Sequence, residues 1–355
     1  MKTISSISLR NFKCHSEMDF NIKGLNVLAG INSSGKSTLV QSLLLLRQSY
    51  NSGMINKGLL LNSDLVDLGM VQDILYVNTK EKSPQIEVTV NFDDTKIKKV
   101  SSELERHSDF LITQDNVQIP EDCNLFSNGF NYISSDRIGP QKIYEKSYTT
   151  VKDSRSTGLH GELFAHMYQL NKQEITILGD TLENDFSKWL SEISLGFSID
   201  TLSDTTSQTV ELSFKKYGDK KPYKSINVGF GLSYIAPVIV TLLMAKEDDL
   251  IIIESPEAHL HPKGQRRMGE LLAEVSSKGV QIITETHSDH VVNGIRLAVK
   301  NQQMSKENVN FMYFYREEGI HKLEYIDVES DGQLSHWPDG FFDEWDNALF
   351  ELMRR

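Results

Sequence analysis

Residues 30–38 read Gly30-Ile31-Asn32-Ser33-Ser34-Gly35-Lys36-Ser37-Thr38, a complete G-x-x-x-x-G-K-[ST] spacing. Residues of these types in this order hold phosphate. Glycines at Gly30 and Gly35 let backbone N–H groups curl round an anion with no Cβ in the way. Asn32, Ser33, Ser34 and Thr38 complete the loop, and a helix that starts there adds the positive end of its dipole. Lys36 reaches the β- and γ-phosphates of a nucleotide, and the Ser37 hydroxyl suits Mg²⁺. A plain Gly/Ser turn is the competing explanation. The apolar run Leu25–Ala29 before the loop and the helix-like stretch Leu39–Arg47 after it give the motif its required context.

A second chemical element lies far along the chain, where Leu250-Ile251-Ile252-Ile253 ends in Glu254. A carboxylate at the C-terminal edge of a buried parallel strand can hold Mg²⁺, directly or through water. A strand end that merely faces solvent is the alternative. His287 follows the strand-like run Val280–Thr284, where an imidazole can hydrogen-bond a γ-phosphate. Alternatively, Ser288 caps a helix and His287 is incidental. His259, His261, His287 and His290 with Asp289 have a zinc-like spacing, but no cysteine ligand lies near them. Asp327, Glu329 and Asp331 fit a strand ending in an Asp331-Gly332 turn better than a two-metal centre.

Longer runs carry a family resemblance. Ser255-Pro256-Glu257-Ala258-His259-Leu260-His261-Pro262 resembles the E-P-E-A-H-L-H-P segment of ABC-type ATPases outside the transporters. That group includes the RecF and SMC repair ATPases and the overcoming-lysogenization-defect (OLD) ATPases. Leu9-Arg10-Asn11-Phe12-Lys13 resembles its opening strand and turn, and Thr284-Glu285-Thr286-His287-Ser288 its switch-histidine strand end. Residues 134–140, 228–233 and 337–343 are similar to one bacterial subfamily with a C-terminal domain of unknown function. Several of its members occur in anti-phage defence loci, and the Septu-system ATPase is a broadly similar example. The resemblance covers both ends of the chain well and residues 51–130 poorly.

The resemblance implies ATP and Mg²⁺ as cofactors. It puts Gly231 and Ser233 where a signature motif would contact, in trans, the γ-phosphate held by a second subunit. A glycine-rich helix start with a serine cap explains the same residues. It also implies a glutamine that watches Mg²⁺ and the attacking water. Gln72 is the candidate, or else a polar loop residue. Relatives end the acidic strand with Asp-Glu, whereas this chain has Glu254-Ser255. The metal role passes to Glu254, but serine cannot act as a carboxylate base at neutral pH. Glu257, two residues on, is the nearest candidate base, against a role in holding the loop. With Lys36 and His287 it makes the expected catalytic set. Slow hydrolysis is expected, with bound ATP acting mainly as a dimer clamp.

Bulk properties set the frame. The chain has 355 residues, 39% hydrophobic and 24% charged, which suits one large or two medium globular domains. A net charge of −12 gives no general support for nucleic-acid binding. Two cysteines outside any C-x-x-C suit a reducing cytosol, and the N-terminal residues lack the apolar core of a signal peptide. Residues 235–245 are too short to span a bilayer. A soluble, cytoplasmic protein is expected, with no membrane partner.

These elements must be positioned by a scaffold. The patterning predicts strands over 3–9, 17–22 and 25–29, with a turn at Asn11–Lys13 and a helix to about Tyr50. Period-two alternation predicts a strand at 86–92. Residues 98–109 are charged and read as exposed surface. Helices are expected at 160–171 and 181–194, and strands near 197–202, 209–216 and 223–228. After residue 230 the pattern returns to α/β: helices at 231–246, 263–278, 287–298 and 341–353, and strands at 249–254, 280–285, 309–316 and 320–328. The expected fold is α/β, an ABC-type ATPase head with a mixed sheet, interrupted by a β-rich and helical insertion. Its core is split between 1–50 and 230–355, and 51–229 completes the head and carries the insertion.

The functional expectation is an ATP-binding, slowly hydrolysing ATPase. It forms a homodimer or a higher even-numbered oligomer and regulates a separately encoded effector, such as a nuclease, in anti-phage defence. No nuclease activity is expected of this chain alone. A repair or recombination ATPase acting directly on DNA is the alternative. A transporter ATPase is disfavoured by the Leu9–Lys13 turn and the His-Leu-His-Pro run.

Overall fold

The computed structural model describes residues 1–114, 119–194, 196–202 and 208–354. The chain opens with β1 (Ile4–Phe12), β2 (His15–Asn21), β3 (Leu25–Gly30), α1 (Lys36–Asn51), β4 (Gly58–Leu60) and α2 (Val71–Ile74). Then come β5 (Ile86–Phe92), β6 (Lys96–Ser101), β7 (Phe110–Ile112), β8 (Phe130–Ile133) and β9 (Tyr144–Glu145). The middle holds α3 (Tyr148–Asp153), α4 (Phe164–Asn171), α5 (Leu182–Ser194), β10 (Phe197–Leu202), β11 (Thr209–Lys216) and β12 (Tyr223–Lys224). It closes with α6 (Phe230–Leu243), β13 (Leu250–Glu254), α7 (Pro262–Ser276), β14 (Gln281–Glu285), α8 (Asp289–Lys300), β15 (Val309–Glu317), β16 (Ile320–Ile326) and α9 (Glu344–Met353). By internal contact the chain forms two compact units. One comprises Met1–Lys23, Gly30–Ser127 and Met312–Glu324; the other comprises Gly24–Ala29, Asn128–Phe311 and Tyr325–Arg355.

The first unit holds an antiparallel sheet in the order β2-β1-β5-β6. Ile7 faces Val90 and Leu9 faces Val88 across β1 and β5, and all four are buried. Directly opposed residues share a face, so these pairs form the sheet's apolar side. Helix α1 buries Leu39, Leu43, Leu44, Leu45 and Leu46. Leucine on every side marks a helix enclosed all round rather than one lying on a surface. Gln48 pins the loop after it, donating to the Leu60 carbonyl at 2.6 Å and accepting from the Val66 N–H at 2.9 Å.

In the second unit β8, β13, β14 and residues 25–29 of β3 run parallel, with Leu250 opposite Phe130 and Gln281, and Ile282 opposite Leu25. Within this unit the strand order is β3-β14-β13-β8. Parallel strands are covered on both faces, which explains the unbroken buried run Leu250–Ile253. Helices α7 and α8 pack so closely that a Cβ on Gly269 would lie 2.1 Å from the Val291 carbonyl oxygen, so glycine is required there. A second, antiparallel sheet has the order β10-β11-β12, with β9 pairing the start of β11.

The structure shifts several sequence expectations. Asn11 and Phe12 belong to β1, and the turn falls at Lys13–Cys14. Residues 98–101 are not exposed surface but strand β6, with Lys99 and Ser101 buried. The strand expected over 223–228 stops at Lys224 and gives way to a 3₁₀ turn at Ser225–Asn227. The helix expected from 160 begins at Phe164, and the last helix begins at Glu344.

Candidate functional site

In the first unit β3 delivers the chain into the phosphate-loop sequence. Gly30 has φ 137°, and a Cβ there would lie 2.1 Å from the Phe314 carbonyl oxygen, so no other residue fits. Gly35 sits in the left-handed region at φ 104° and starts α1. Ser33 shares that backbone region at φ 63°. Asn32, Ser33 and Ser37 face solvent, while Ser34 and Thr38 are buried. The Lys36 ammonium donates to the carbonyls of Gly30 at 2.8 Å and Ile31 at 2.9 Å. The loop therefore already wraps the cation that would meet a phosphate.

Side chains around the loop were not singled out in the sequence. His321 Nδ1 lies 2.9 Å from the Ser34 carbonyl oxygen. The buried His15 ring stands 6.0 Å from that of His321, and a Cβ on Gly35 would come within 3.0 Å of it. Burial lowers the His15 pKa to about 4. Cys14 Sγ sits 3.3 Å from the Thr38 hydroxyl. No motif links these positions, which lie on a hairpin near each end of the chain.

In the second unit the acidic strand ends are neighbours: Glu254 of β13 is in register with Glu285 of β14. Glu254 Oε1 accepts from the Tyr132 hydroxyl at 3.0 Å, and Oε2 from the Ser135 N–H at 3.2 Å. Burial and the Glu254 charge push the Tyr132 phenol well above its ordinary range, so it stays a donor. Arg137 donates to the carbonyls of Ser134 at 3.1 Å, Glu254 at 2.8 Å and Ser255 at 2.6 Å. Burial lowers its pKa to about 10, which leaves it charged at neutral pH. Ser255 takes a left-handed φ of 44°, which turns the chain out of β13.

Glu257 is buried, and its Oε1 accepts the His287 N–H at 2.8 Å. Oε2 is also buried, with no hydrogen-bond partner among the described residues. The His287 imidazole is half-exposed, with Nε2 3.8 Å from Glu285 Oε1. Ser288 caps α8, accepting from the N–H groups of His290 and Val291. The structure thus brings Glu254, Glu257 and His287 to one edge of the parallel sheet. Glu285, Tyr132, Ser135 and Arg137 join them there. Sequence reading quoted the runs that contain Glu285, Ser135 and Arg137 without giving these residues a role.

Two expected residues sit differently. Ser233 is 1% exposed, because the fourth position of α6 turns inward with Leu232 and Ala236. Its hydroxyl is covered in this arrangement. Gly229 and Phe230 are the exposed residues at that helix start, and Gly231 packs against the His259 carbonyl. Gln72 is exposed in the four-residue helix α2, and its N–H donates to the Arg106 carbonyl at 3.1 Å. Among the described residues no three His, Cys, Asp or Glu side chains gather as a metal cage.

The donor chemistry fits Mg²⁺. In the second unit Glu254 and Glu285 offer hard oxygen atoms, and each Glu254 oxygen keeps a lone pair beyond its one hydrogen bond. The family model described as AAA domain, putative AbiEii toxin, Type IV TA system matches residues 25–293.

The chain belongs to this AAA-domain family. A second model, described as a protein of unknown function (DUF3696), matches residues 304–352 of this AAA-domain protein. The chain is 22% identical over 338 residues to an OLD nuclease of Thermus scotoductus, covering 80% of itself and 59% of that relative's length. The fold is that of solved Smc heads. A SmcHead bound to the C-winged helix domain of ScpA matches with TM-score 0.59 at 15% identity, over 92% of this chain and 98% of that one. The Pyrococcus furiosus Smc head with an extended coiled coil, bound to the ScpA C-terminal domain, matches with TM-score 0.55 at 14% identity, over all of both chains. The AAA-domain chain therefore has the α/β fold of a Smc head, with a mixed sheet. Among its described residues no helix is long and apolar enough to cross a membrane.

Proposed function

We propose that this chain is an ATP-driven switch. It binds ATP and Mg²⁺, hydrolyses slowly, closes against a second copy and so controls a separately encoded nuclease effector in bacterial anti-phage defence. The Lys36 ammonium, wrapped by the Gly30 and Ile31 carbonyls at the start of α1, carries this reading. That group exchanges two carbonyls for phosphate oxygens, while the loop N–H groups and the helix dipole hold the remaining charge. Ser37 and Glu254 supply oxygen ligands to Mg²⁺, with Gln72 a further candidate.

Glu257 is the proposed base, since Ser255 occupies the usual position and cannot remove a proton from water. His287 senses the γ-phosphate, and the start of α6 at Gly231 meets the nucleotide of the second copy. Likeness to an OLD nuclease supports a defence setting, and the ABC-type head supports nucleotide-dependent pairing. Light scattering with and without ATP and Mg²⁺ tests the switch. A doubling of mass that Lys36→Ala abolishes is expected; the same mass in every sample overturns it.

A further inference from the structure

Residues 215–224 read Lys215-Lys216-Tyr217-Gly218-Asp219-Lys220-Lys221-Pro222-Tyr223-Lys224. Five lysines stand against one aspartate in a chain whose net charge is −12. The segment runs from the end of β11 through a turn into β12, with Ser213 opposite Lys224 and Phe214 opposite Tyr223. β12 is the edge of its sheet, and Tyr217, Gly218, Lys220 and Lys221 of the turn are exposed. All five lysines are exposed, and among the described residues none of their ammonium groups forms an ion pair.

Two nearby acids are engaged. Asp219 accepts the Tyr223 hydroxyl at 2.9 Å, and Asp200, across the sheet from Ser213, pairs with Lys172. The Ser225 hydroxyl donates to the Gln141 carbonyl, which brings exposed Lys142 alongside as a sixth cation.

Aromatic rings lie among these cations. Tyr217 is 93% exposed, and Tyr223 42%. The Tyr217 N–H donates to the Gly196 carbonyl at 2.7 Å, which fixes the backbone beneath the ring. A Cβ on Gly196 would lie 3.7 Å from the Tyr217 Cβ, so glycine leaves that side of the ring uncovered. An exposed tyrosine between unpaired lysines is poor packing and costs apolar hydration. It is, however, a stacking platform set in an electrostatic track, the combination that holds unpaired bases while lysines follow the backbone. Bases inside a duplex do not present their faces, so a ring adds little to duplex binding.

We infer that the β11–β12 hairpin, through Lys215, Lys216, Lys220, Lys221, Lys224 and Tyr217, is a binding surface for single-stranded nucleic acid. The inference goes beyond the ATP switch and does not rest on it, because the hairpin shares no residue with the nucleotide-binding set.

Fluorescence anisotropy of the full chain without ATP, using labelled oligothymidylate of roughly 20 nucleotides, tests it. If four lysines neutralise phosphates, affinity falls about 50-fold between about 50 and about 200 mM salt. The combined variant Lys215→Ala, Lys216→Ala, Lys220→Ala, Lys221→Ala removes most of that salt dependence. Tyr217→Ala weakens binding about tenfold with the salt slope unchanged, and Tyr217→Phe restores it. A competing duplex of equal length binds more weakly. ATP binding by each variant serves as the control that it is folded. No oligonucleotide binding at about 50 mM salt, binding unmoved by the lysine variant, indifference to Tyr217→Ala, or preference for duplex each overturns the inference.

Discussion

The Glu257 carboxylate accepts the backbone N–H of His287 at 2.8 Å. This one bond ties the turn after β13 to the turn after β14. The side chain proposed to handle a proton therefore also sets the height of the residue proposed to sense phosphate. Movement at either turn is felt at the other.

Substitution separates the two roles. Glu257→Gln keeps an oxygen for the His287 N–H but removes the basic carboxylate. ATP turnover should fall by about 10²-fold or more, the usual contribution of a general base. Nucleotide affinity should hold. Glu257→Ala should lose turnover and about 1–3 kcal/mol of stability as well, because a buried donor is left unsatisfied. Phosphate-release assays and thermal melts of both variants are the measurements; undiminished turnover in Glu257→Gln would remove Glu257 from catalysis.

Lys36→Ala should weaken ATP binding by about 10- to 100-fold, the scale of lost hydrogen bonds to a charged group. The fold should survive, since the two carbonyls that Lys36 contacts belong to a solvent-lined loop that water can satisfy. Calorimetric titration with ATP and circular dichroism read the two effects separately.

His15 gives a pH signature. Its pKa drops from 6.5 to about 4 on folding because burial disfavours the imidazolium. The group is neutral in the folded chain and takes up a proton more readily when unfolded. Its contribution is complete above about pH 6.5 and is lost as pH falls towards 4, amounting to about 2 kcal/mol by pH 5. His15→Phe cannot titrate. Urea midpoints at pH 7 and pH 5 should therefore fall further apart in the wild type than in the variant.

Arg137→Met should cost about 2–5 kcal/mol, since the carbonyls of Ser134, Glu254 and Ser255 all lose a charged donor. Arg137→Lys should recover only part of this, because an ammonium cannot reproduce the fork that spans Glu254 and Ser255. Denaturant midpoints rank the three proteins, and a lysine variant as stable as the wild type would show that the fork is dispensable.

The sequence exposed whatever depends on local pattern. Apolar Leu250–Ile253 had to be a buried parallel strand, and the strand-to-helix context of Gly30–Thr38 made the loop readable. What stayed hidden depends on pairing at a distance. Lys99 looked like surface because a lysine in a charged stretch carries no sign of its neighbour strand, yet β6 turns it inward. The helix start before Ser233 was visible in the sequence, whereas the face that α6 buries was not. His15 and His321 meet beside the loop only because two remote hairpins converge there.

That convergence fixes an order of events in time. Phe314 lies against Gly30, and His321 reaches the Ser34 carbonyl from 287 residues further on. A ribosome adds about 5–20 residues per second, so the loop emerges on the order of tens of seconds before its last support is made. Until then the newborn chain lacks the contacts that Phe314 and His321 make with the loop.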